Sequence, residues 1–378
     1  MPKLSETELL FLELLKAGLW EKPVRQELYQ EVEVDWDLVA QLARHHTVTG
    51  LVGEAMSHLP HGVAPRPVLI PILRKVVEIE DRNRQMNSFI PQIFLTLKAM
   101  KLHPWLIKGQ GVGQDYEDPM KRVSGDVDVL FVDEDEYECV RKVMLDHLDP
   151  KRIVSDVRKT KNLEFFHGDI LIEFHGLVLA EVNHKCDRHF SEFMSEKRKL
   201  KGRTWNGVPL APVSFDAIFI FTHLVRHYFG GGIGLRQVCD WMRFLHRHVQ
   251  DLDLMELEQD LRKLGMYKLW QVFGAMAVQY LGCPQENMPF YRADMEKQGA
   301  RVLRYILESG NFGYYDKRTQ SSSNVFFVRR FKAFWGHLQM KFQNFTMFPE
   351  ESVYSIPSFI VDGIKRSFRS KEQTTSEN

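Results

Sequence analysis

Over the first hundred residues the apolar positions recur at helical spacing. Leu9, Leu10, Leu12, Leu14 and Leu15 predict a short apolar helix ending near Gly18. Asp35-Trp36-Asp37 opens a second helix that carries Leu38, Val39, Leu42 and Ala43. Pro65-Arg66-Pro67 precedes a long third pattern, with Leu69, Ile72, Leu73 and Val76 on one face and a break expected near Pro91. Pro71 fits such a helix only in its first turn, where a missing N–H does no harm.

The pattern then changes. Pro104 to Lys108 reads as a short strand stopped at Gly109, and Asp126 to Val132 as the next. Asp133 to Leu148 reads as a helix whose acidic first turn suits the helix dipole. Leu163–Phe166 and Ile170–His175 flank His167-Gly168-Asp169 as a hairpin, and Asn206-Gly207 is a strong two-residue hairpin turn inside 204–208. From Ser214, a candidate N-cap, helices return at 215–228 and, after Gly230–Gly232, at 235–249, 252–264, 268–281 and 292–309. Four segments follow from this: a helical domain at 1–102, an α/β or α+β unit at 103–212, a second helical domain at 213–320, and an extension with a polar tail at 321–378. Within the last, Ser321–Ser323 is a linker, 325–345 is aromatic and basic, and the tail from Ser370 has a disordered composition.

Composition narrows the function. Fifty basic residues balance fifty acidic ones, which disfavours a protein built to grip long nucleic acid. The four cysteines are scattered with no CxxC pair, so the expectation is free thiols in a reducing compartment and no zinc framework. No signal peptide and no run of 18 apolar residues is evident, and a cytoplasmic protein is expected.

The chemistry concentrates in Arg122-Val-Ser-Gly-Asp-Val-Asp128. Alternate strand residues share a face, so Asp126 and Asp128 point the same way. Two carboxylates at the head of an apolar strand build a poor core, but they can hold divalent cations against a phosphate. Glu173, otherwise surrounded by Ile170, Leu171, Ile172 and Phe174, is the best third ligand, and His175 on its face would support the ligands or meet substrate. The bland alternative for the Asp pair is a solvated edge strand or a turn cap. The run Ile107-Lys-Gly-Gln-Gly-Val-Gly113 offers backbone N–H groups to phosphate, with Lys108 and Arg122 as charged partners or else as plain surface charges. It is neither a Walker A motif nor a dinucleotide fingerprint.

His223 and His227 lie four apart on one helix face, but no third ligand accompanies them, and a packed role facing the middle domain is the better reading than zinc. Arg226, Arg236 and Asp240 on nearby turns are candidates to line a cleft between domains. The stripe from Arg329 to Lys341, interleaved with Phe331, Phe334, Trp335 and Phe342, is read first as packing on its own protein and only second as a membrane or nucleic-acid surface.

Lys108-Gly109, Tyr116-Glu-Asp-Pro119 and Arg122-Val-Ser-Gly-Asp-Val-Asp128 together resemble the signature of a bacterial family of uncharacterised nucleotidyltransferases within the DNA polymerase β-like superfamily. The resemblance extends more loosely over roughly residues 5–315, through Ala43-Arg-His-His46, the 169–175 strand, His223-Leu-Val-Arg-His227 and Leu235-Arg-Gln-Val-Cys-Asp240. It implies an α+β fold with a small mixed β-sheet core between helical N- and C-terminal domains. It further implies a metal triad of Asp126, Asp128 and Glu173, with Lys108, Gly109, Gln110, Arg122, Ser124 and Gly125 at the nucleotide. The superfamily usually has Gly or Ser where this chain has Gln110.

The expected activity is a Mg²⁺- or Mn²⁺-dependent transfer of a nucleoside monophosphate from an NTP, ATP first among them, to a hydroxyl on a protein, sugar or small molecule, with release of pyrophosphate. The rival is a catalytically weak nucleotide-binding regulator that keeps the fold, which Gln110 favours. A peripheral membrane scaffold using the 325–345 stripe is the third reading.

Overall fold

The computed structural model describes residues 4–30, 32–158, 161–311 and 344–354. The Ser321–Ser323 linker, residues 325–343 of the aromatic-basic stripe and the tail from Ser370 lie outside the described residues. The chain begins with five helices: α1 (Glu6–Trp20), α2 (Glu27–Gln30), α3 (Trp36–His45), α4 (Thr49–Ser57) and α5 (Arg66–Ala99). The middle holds β1 (Trp105–Ile107), α6 (Gly109–Gly113), β2 (Asp126–Leu130), α7 (Glu134–His147), β3 (Ile153–Val157), β4 (Asn162–His167), β5 (Ile170–His175), α8 (His184–Lys197), β6 (Arg203–Trp205) and β7 (Val208–Leu210). The helices that follow include α9 (Val213–Gly230), α10 (Leu235–His248), α11 (Leu254–Lys263), α12 (Tyr267–Leu281) and α13 (Glu296–Ser309). The fold is α+β, with one mixed sheet and many helices, as expected.

Local chemistry accounts for most boundaries. Ser5 and Glu8 form a reciprocal capping box at the start of α1, and Asp35 caps α3 through the Leu38 N–H. The α1 helix ends at Trp20, two residues past Gly18, and Gly18 itself is where α4 crosses: a Cβ there would sit 2.0 Å from the Leu51 carbonyl oxygen. Pro71 does not fall in the first turn of α5, which starts at Arg66, and the helix does not break at Pro91. Pro67 and Pro71 lie on its exposed side, where water can satisfy freed backbone groups. Ile72, Val76 and Ile79 on one side of the kink-prone stretch, and Ile90, Phe94 and Leu97 around Pro91, are all buried, and that continuous apolar stripe outweighs the lost hydrogen bonds. The final helical run opens at Val213, after Pro212, rather than from Ser214. The sequence reading omitted α2, α4, β3 and α8. Strand β3 is half polar and lies at the sheet edge, so it carries no alternating apolar signal.

The sheet order is β3-β4-β5-β2-β1-β7-β6. Strand β2 is antiparallel to β1 and parallel to β5, and β5 forms the anticipated hairpin with β4. The β6–β7 turn takes left-handed backbone at both Asn206 and Gly207 (φ 49° and 80°), the geometry that an Asn-Gly pair provides. One face of the sheet is dry. Leu106, Val127, Val129, Ile172 and Phe174 join a core with Met86, Ile90 and Phe94 of α5 and Tyr137 and Val140 of α7. On the other face, Ile107 and Leu130 belong to a larger core shared with α1, α3, α4, α9, α10, α12 and α13. The carboxylates of β2 emerge on this second face.

Two buried devices position the segment entering β2. The Asn83 amide of α5 donates to the carbonyls of Met120 (2.7 Å) and Arg122 (2.8 Å). Gly50 of α4 admits the Lys121 backbone so closely that a Cβ would lie 2.0 Å from its carbonyl oxygen. Gly50→Ala is therefore expected to destabilise the protein by about 1–3 kcal/mol through overpacking against backbone. A denaturant or thermal melt checks this, and an unchanged melting temperature would contradict the packing account.

Candidate active site

The parallel register of β2 and β5 sets Asp128 beside Glu173 and Asp126 beside Leu171. Glu173 and His175, two residues apart, share the face that carries Asp126 and Asp128. Asp128 is 3% exposed, and its Oδ1 lies 2.8 Å from His175 Nε2 and 2.6 Å from Lys108 Nζ. His175 Nε2 is also 3.5 Å from Glu173 Oε2. One ligand atom each from Asp128, Glu173 and His175 falls within a 4.8 Å group. Asp126 stands one strand step back, outside this tight group but in the same cleft.

The cleft has a volume of about 330 Å³ and three kinds of wall. The sheet supplies Asp126, Asp128, Glu173, His175 and Asn162. The α9–α10 helices supply His223, Arg226, His227 and Arg236. The apolar wall is Leu177, Val178 and Leu179 from the loop after β5, with Phe219 and Ile220 of α9.

The electrostatics are those of crowded carboxylates. The Asp128 charge, and then burial, raise the Asp126 pKa. Burial first, and then the Asp128 charge, push Glu173 up to about 8. Burial opposes ionisation of Asp128 too, but the Lys108 charge and the His175 hydrogen bond hold its carboxyl below the usual range. For Lys108, burial works against the charged form, yet Asp128 and Asp126 raise its pKa. Across the cleft, burial and then the Lys108 charge depress His223, while burial and then the Arg226 charge bring His227 down to about 3. Both imidazoles are therefore neutral at pH 7. Their rings meet edge to face at 4.4 Å.

Lys108 has an unusual backbone, φ 52° and ψ −148°, a region that costs a non-glycine residue roughly 1–3 kcal/mol. Gly109 follows at φ 37°, and a Cβ on it would lie 3.3 Å from the Asp126 carbonyl oxygen. The turn between β1 and α6 thus brings Lys108 over the head of β2.

Of the residues expected at the nucleotide, Lys108, Gly109 and Arg122 line the cleft, whereas Gln110, Ser124 and Gly125 are absent from its lining. The Gln110 side chain is buried elsewhere. It donates to Asn87 Oδ1 (2.8 Å) and Asn83 Oδ1 (3.2 Å) and accepts from Ser124 Oγ (2.6 Å), an amide network between α5 and the segment before β2. Arg122 is buried, and its fork is taken by Asp240 of α10, Nε to Oδ1 at 2.7 Å and Nη2 to Oδ2 at 2.8 Å. Tyr116 donates to the same carboxylate at 2.6 Å. Arg236 donates to the Val123 carbonyl (2.8 Å), and its Nε is a buried donor with no hydrogen-bond partner among the described residues. Arg226, Arg236 and Asp240 do line the cleft. Sequence reading did not single out Asn162 or the apolar wall; apolar residues that line a cleft carry the same signal as apolar residues that fill a core.

A divalent cation fits the carboxylate face. The donors are hard carboxylate oxygens with one imidazole nitrogen, compactly grouped, and neighbouring carboxylates together with burial raise the pKa values of Asp126 and Glu173, a cost that a bound cation would relieve. A mixed sheet with many helices fits an α+β nucleotidyltransferase fold. The chain belongs to the uncharacterised nucleotidyltransferase family, whose model matches residues 32–282, a span containing every residue of the cleft described above. Nucleotidyl transfer is accordingly its general class of activity. No curated protein and no solved structure matches the chain. Among the described residues, no helix is long and apolar enough to cross a membrane.

The Glu173 shift has a testable sign. Its folded pKa of about 8 exceeds the ordinary 4.5, so the contribution to stability is fully present below about pH 4.5 and is lost as the pH rises through 8. Glu173→Gln, neutral throughout, should gain in melting temperature relative to wild type as the pH goes from 5 to about 9 in EDTA. A difference in melting temperature that stays flat with pH would contradict the crowding account.

Proposed function

We propose that the cleft binds a nucleoside triphosphate together with Mg²⁺ or Mn²⁺ and transfers its nucleoside monophosphate to a hydroxyl acceptor. A bond forms between the acceptor oxygen and the α-phosphorus, the α–β phosphoanhydride bond breaks, and pyrophosphate leaves. The observation that carries this reading is the in-register opposition of Asp128 and Glu173 on parallel strands, with Asp126 on the same face and the cationic wall opposite.

Asp128, Glu173 and His175 would hold the cation, with Asp126 as a further ligand. When bound, such an ion neutralises phosphate oxygens and makes the acceptor hydroxyl more acidic. The chain's own groups do the rest. Lys108 and Arg236 offer positive charge to the triphosphate. The Arg122–Asp240 pair holds the segment entering β2 against α10, which makes Arg122 a support of the wall rather than a phosphate grip. Glu173, through the carboxylate oxygen not on the cation, would take the acceptor proton. The apolar wall of Leu177, Val178, Leu179, Phe219 and Ile220 accommodates an uncharged part of nucleotide or acceptor and excludes water. Mg²⁺ is the ordinary choice for such oxygens, and His175 makes Mn²⁺ acceptable too.

The regulatory alternative, binding without turnover, draws on one observation. Gln110 turns its side chain away into the α5 network, leaving no side-chain hydroxyl at the cleft where the superfamily commonly has Ser. The test titrates each NTP with Mg²⁺ into wild type and an Asp126→Asn/Asp128→Asn double variant, then follows pyrophosphate release with the NTP that binds. Losing metal-assisted stabilisation of several kcal/mol predicts a fall in turnover of about 10²–10³. Binding of one NTP that disappears in the double variant, with pyrophosphate release that disappears in parallel, is expected. Binding with no turnover above the variant's background favours the regulator, and no binding to a folded wild-type protein overturns both readings.

A further inference from the structure

Lys108 links the strained turn after β1 to the acidic group itself. Its Nζ lies 2.6 Å from Asp128 Oδ1, the same oxygen that meets His175 Nε2. The side chain is only 17% exposed, so the ammonium sits within the acid cluster rather than on the rim. The charges of Asp126 and Glu173 act on it as well. An ammonium so placed stands within the shell that a divalent ion would occupy. The two cations would repel strongly at that separation, because the site is largely shielded from water.

We propose that Lys108 is the resident counter-cation of the ion-free site, that it gives up Asp128 when a divalent ion arrives, and that it takes a phosphate of the nucleotide as its new partner. The second half rests on the nucleotide reading above. Once displaced, the ammonium keeps three donors and needs an acceptor. The facing helical wall offers two arginines, two neutral imidazoles, the Gln237 amide and a single carboxylate, Asp240, which Arg122 and Tyr116 already hold, so with the acids of the sheet on the ion the free anion comes from the ligand. The strained backbone of Lys108 serves the same end: it aims the side chain across the head of β2, within reach both of Asp128 and of the open cleft.

Two consequences follow. A bare divalent ion binds weakly, because it has to displace a bound charge. Ion and nucleotide then tighten each other, and the coupling is equal in both directions.

The experiment measures Mn²⁺ binding by the electron paramagnetic resonance signal of free Mn²⁺, with and without a non-hydrolysable ATP analogue, on full-length wild type, Lys108→Met and Asp128→Asn. Lys108→Met should bind bare Mn²⁺ at least tenfold more tightly than wild type and bind the analogue at least tenfold more weakly in its presence. Asp128→Asn should lose both. The analogue should tighten Mn²⁺ at least a hundredfold in wild type and much less in Lys108→Met. If Lys108→Met binds bare Mn²⁺ no more tightly than wild type, Lys108 is not the counter-cation and the proposal fails. If bare Mn²⁺ tightens but analogue affinity is unchanged, the handover to phosphate fails. If no protein binds the analogue, the nucleotide reading and the handover fall together, while the bare-ion comparison still decides the counter-cation half. Circular dichroism confirms folding, and Lys108→Gln replaces Lys108→Met if the latter does not fold.

Discussion

Two adjacent parallel strands place carboxylates side by side at the buried edge of a cleft, and positive charge has to answer them. Most of the surrounding structure meets that demand. Lys108 does so directly at Asp128, although the position costs it an unfavourable backbone. His175 shares the same oxygen, and Asp126 and Glu173 are left with raised pKa values. Apolar residues would have packed here at no electrostatic cost, and three acids at this spot support the proposed cation site.

The sheet's role follows from its two faces. The dry face, against α5 and α7, locks β2 and β5 in register, and register alone decides that Asp128 meets Glu173 rather than Phe174. The helical segments are then more than flanks. Asn83 of α5, Gly50 of α4 and Asp240 of α10 grip the segment entering β2 from three sides. Removing Asp240 would strand a buried guanidinium, so losing this anchor is costly whatever the pair adds in net stability. A cleft whose floor is sheet and whose far wall is α9 and α10 follows from the joint core that α9 and α10 share with Ile107 and Leu130.

Much of this was legible in the chain. Period-two patterning and two turn signals located β2, the β4–β5 hairpin and the β6–β7 hairpin within a residue or two. The alternation rule put Asp126 and Asp128 on one face, and an acid isolated among aliphatic residues pointed to Glu173. The misses share a cause: long-range context. Pro91 signals a break locally, yet a continuous apolar stripe overrides it. Gln110 and Arg122 sit in a glycine-rich and acidic neighbourhood that suggests phosphate, but their partners, Asn87 and Asp240, are 23 and 118 residues away, which no spacing rule reveals. His175 was noticed in the sequence, but its part in the compact ligand group appears only with the strand register.

The most direct test of the central claim is crystallographic. Crystals grown with Mn²⁺ and a non-hydrolysable nucleoside triphosphate, measured at a wavelength where manganese scatters anomalously, should show an anomalous peak at coordination distance from the Asp128 and Glu173 carboxylates, with the nucleotide's phosphates beside it. A well-ordered nucleotide bound elsewhere, or an acidic cluster with no anomalous peak at saturating Mn²⁺, would contradict the account.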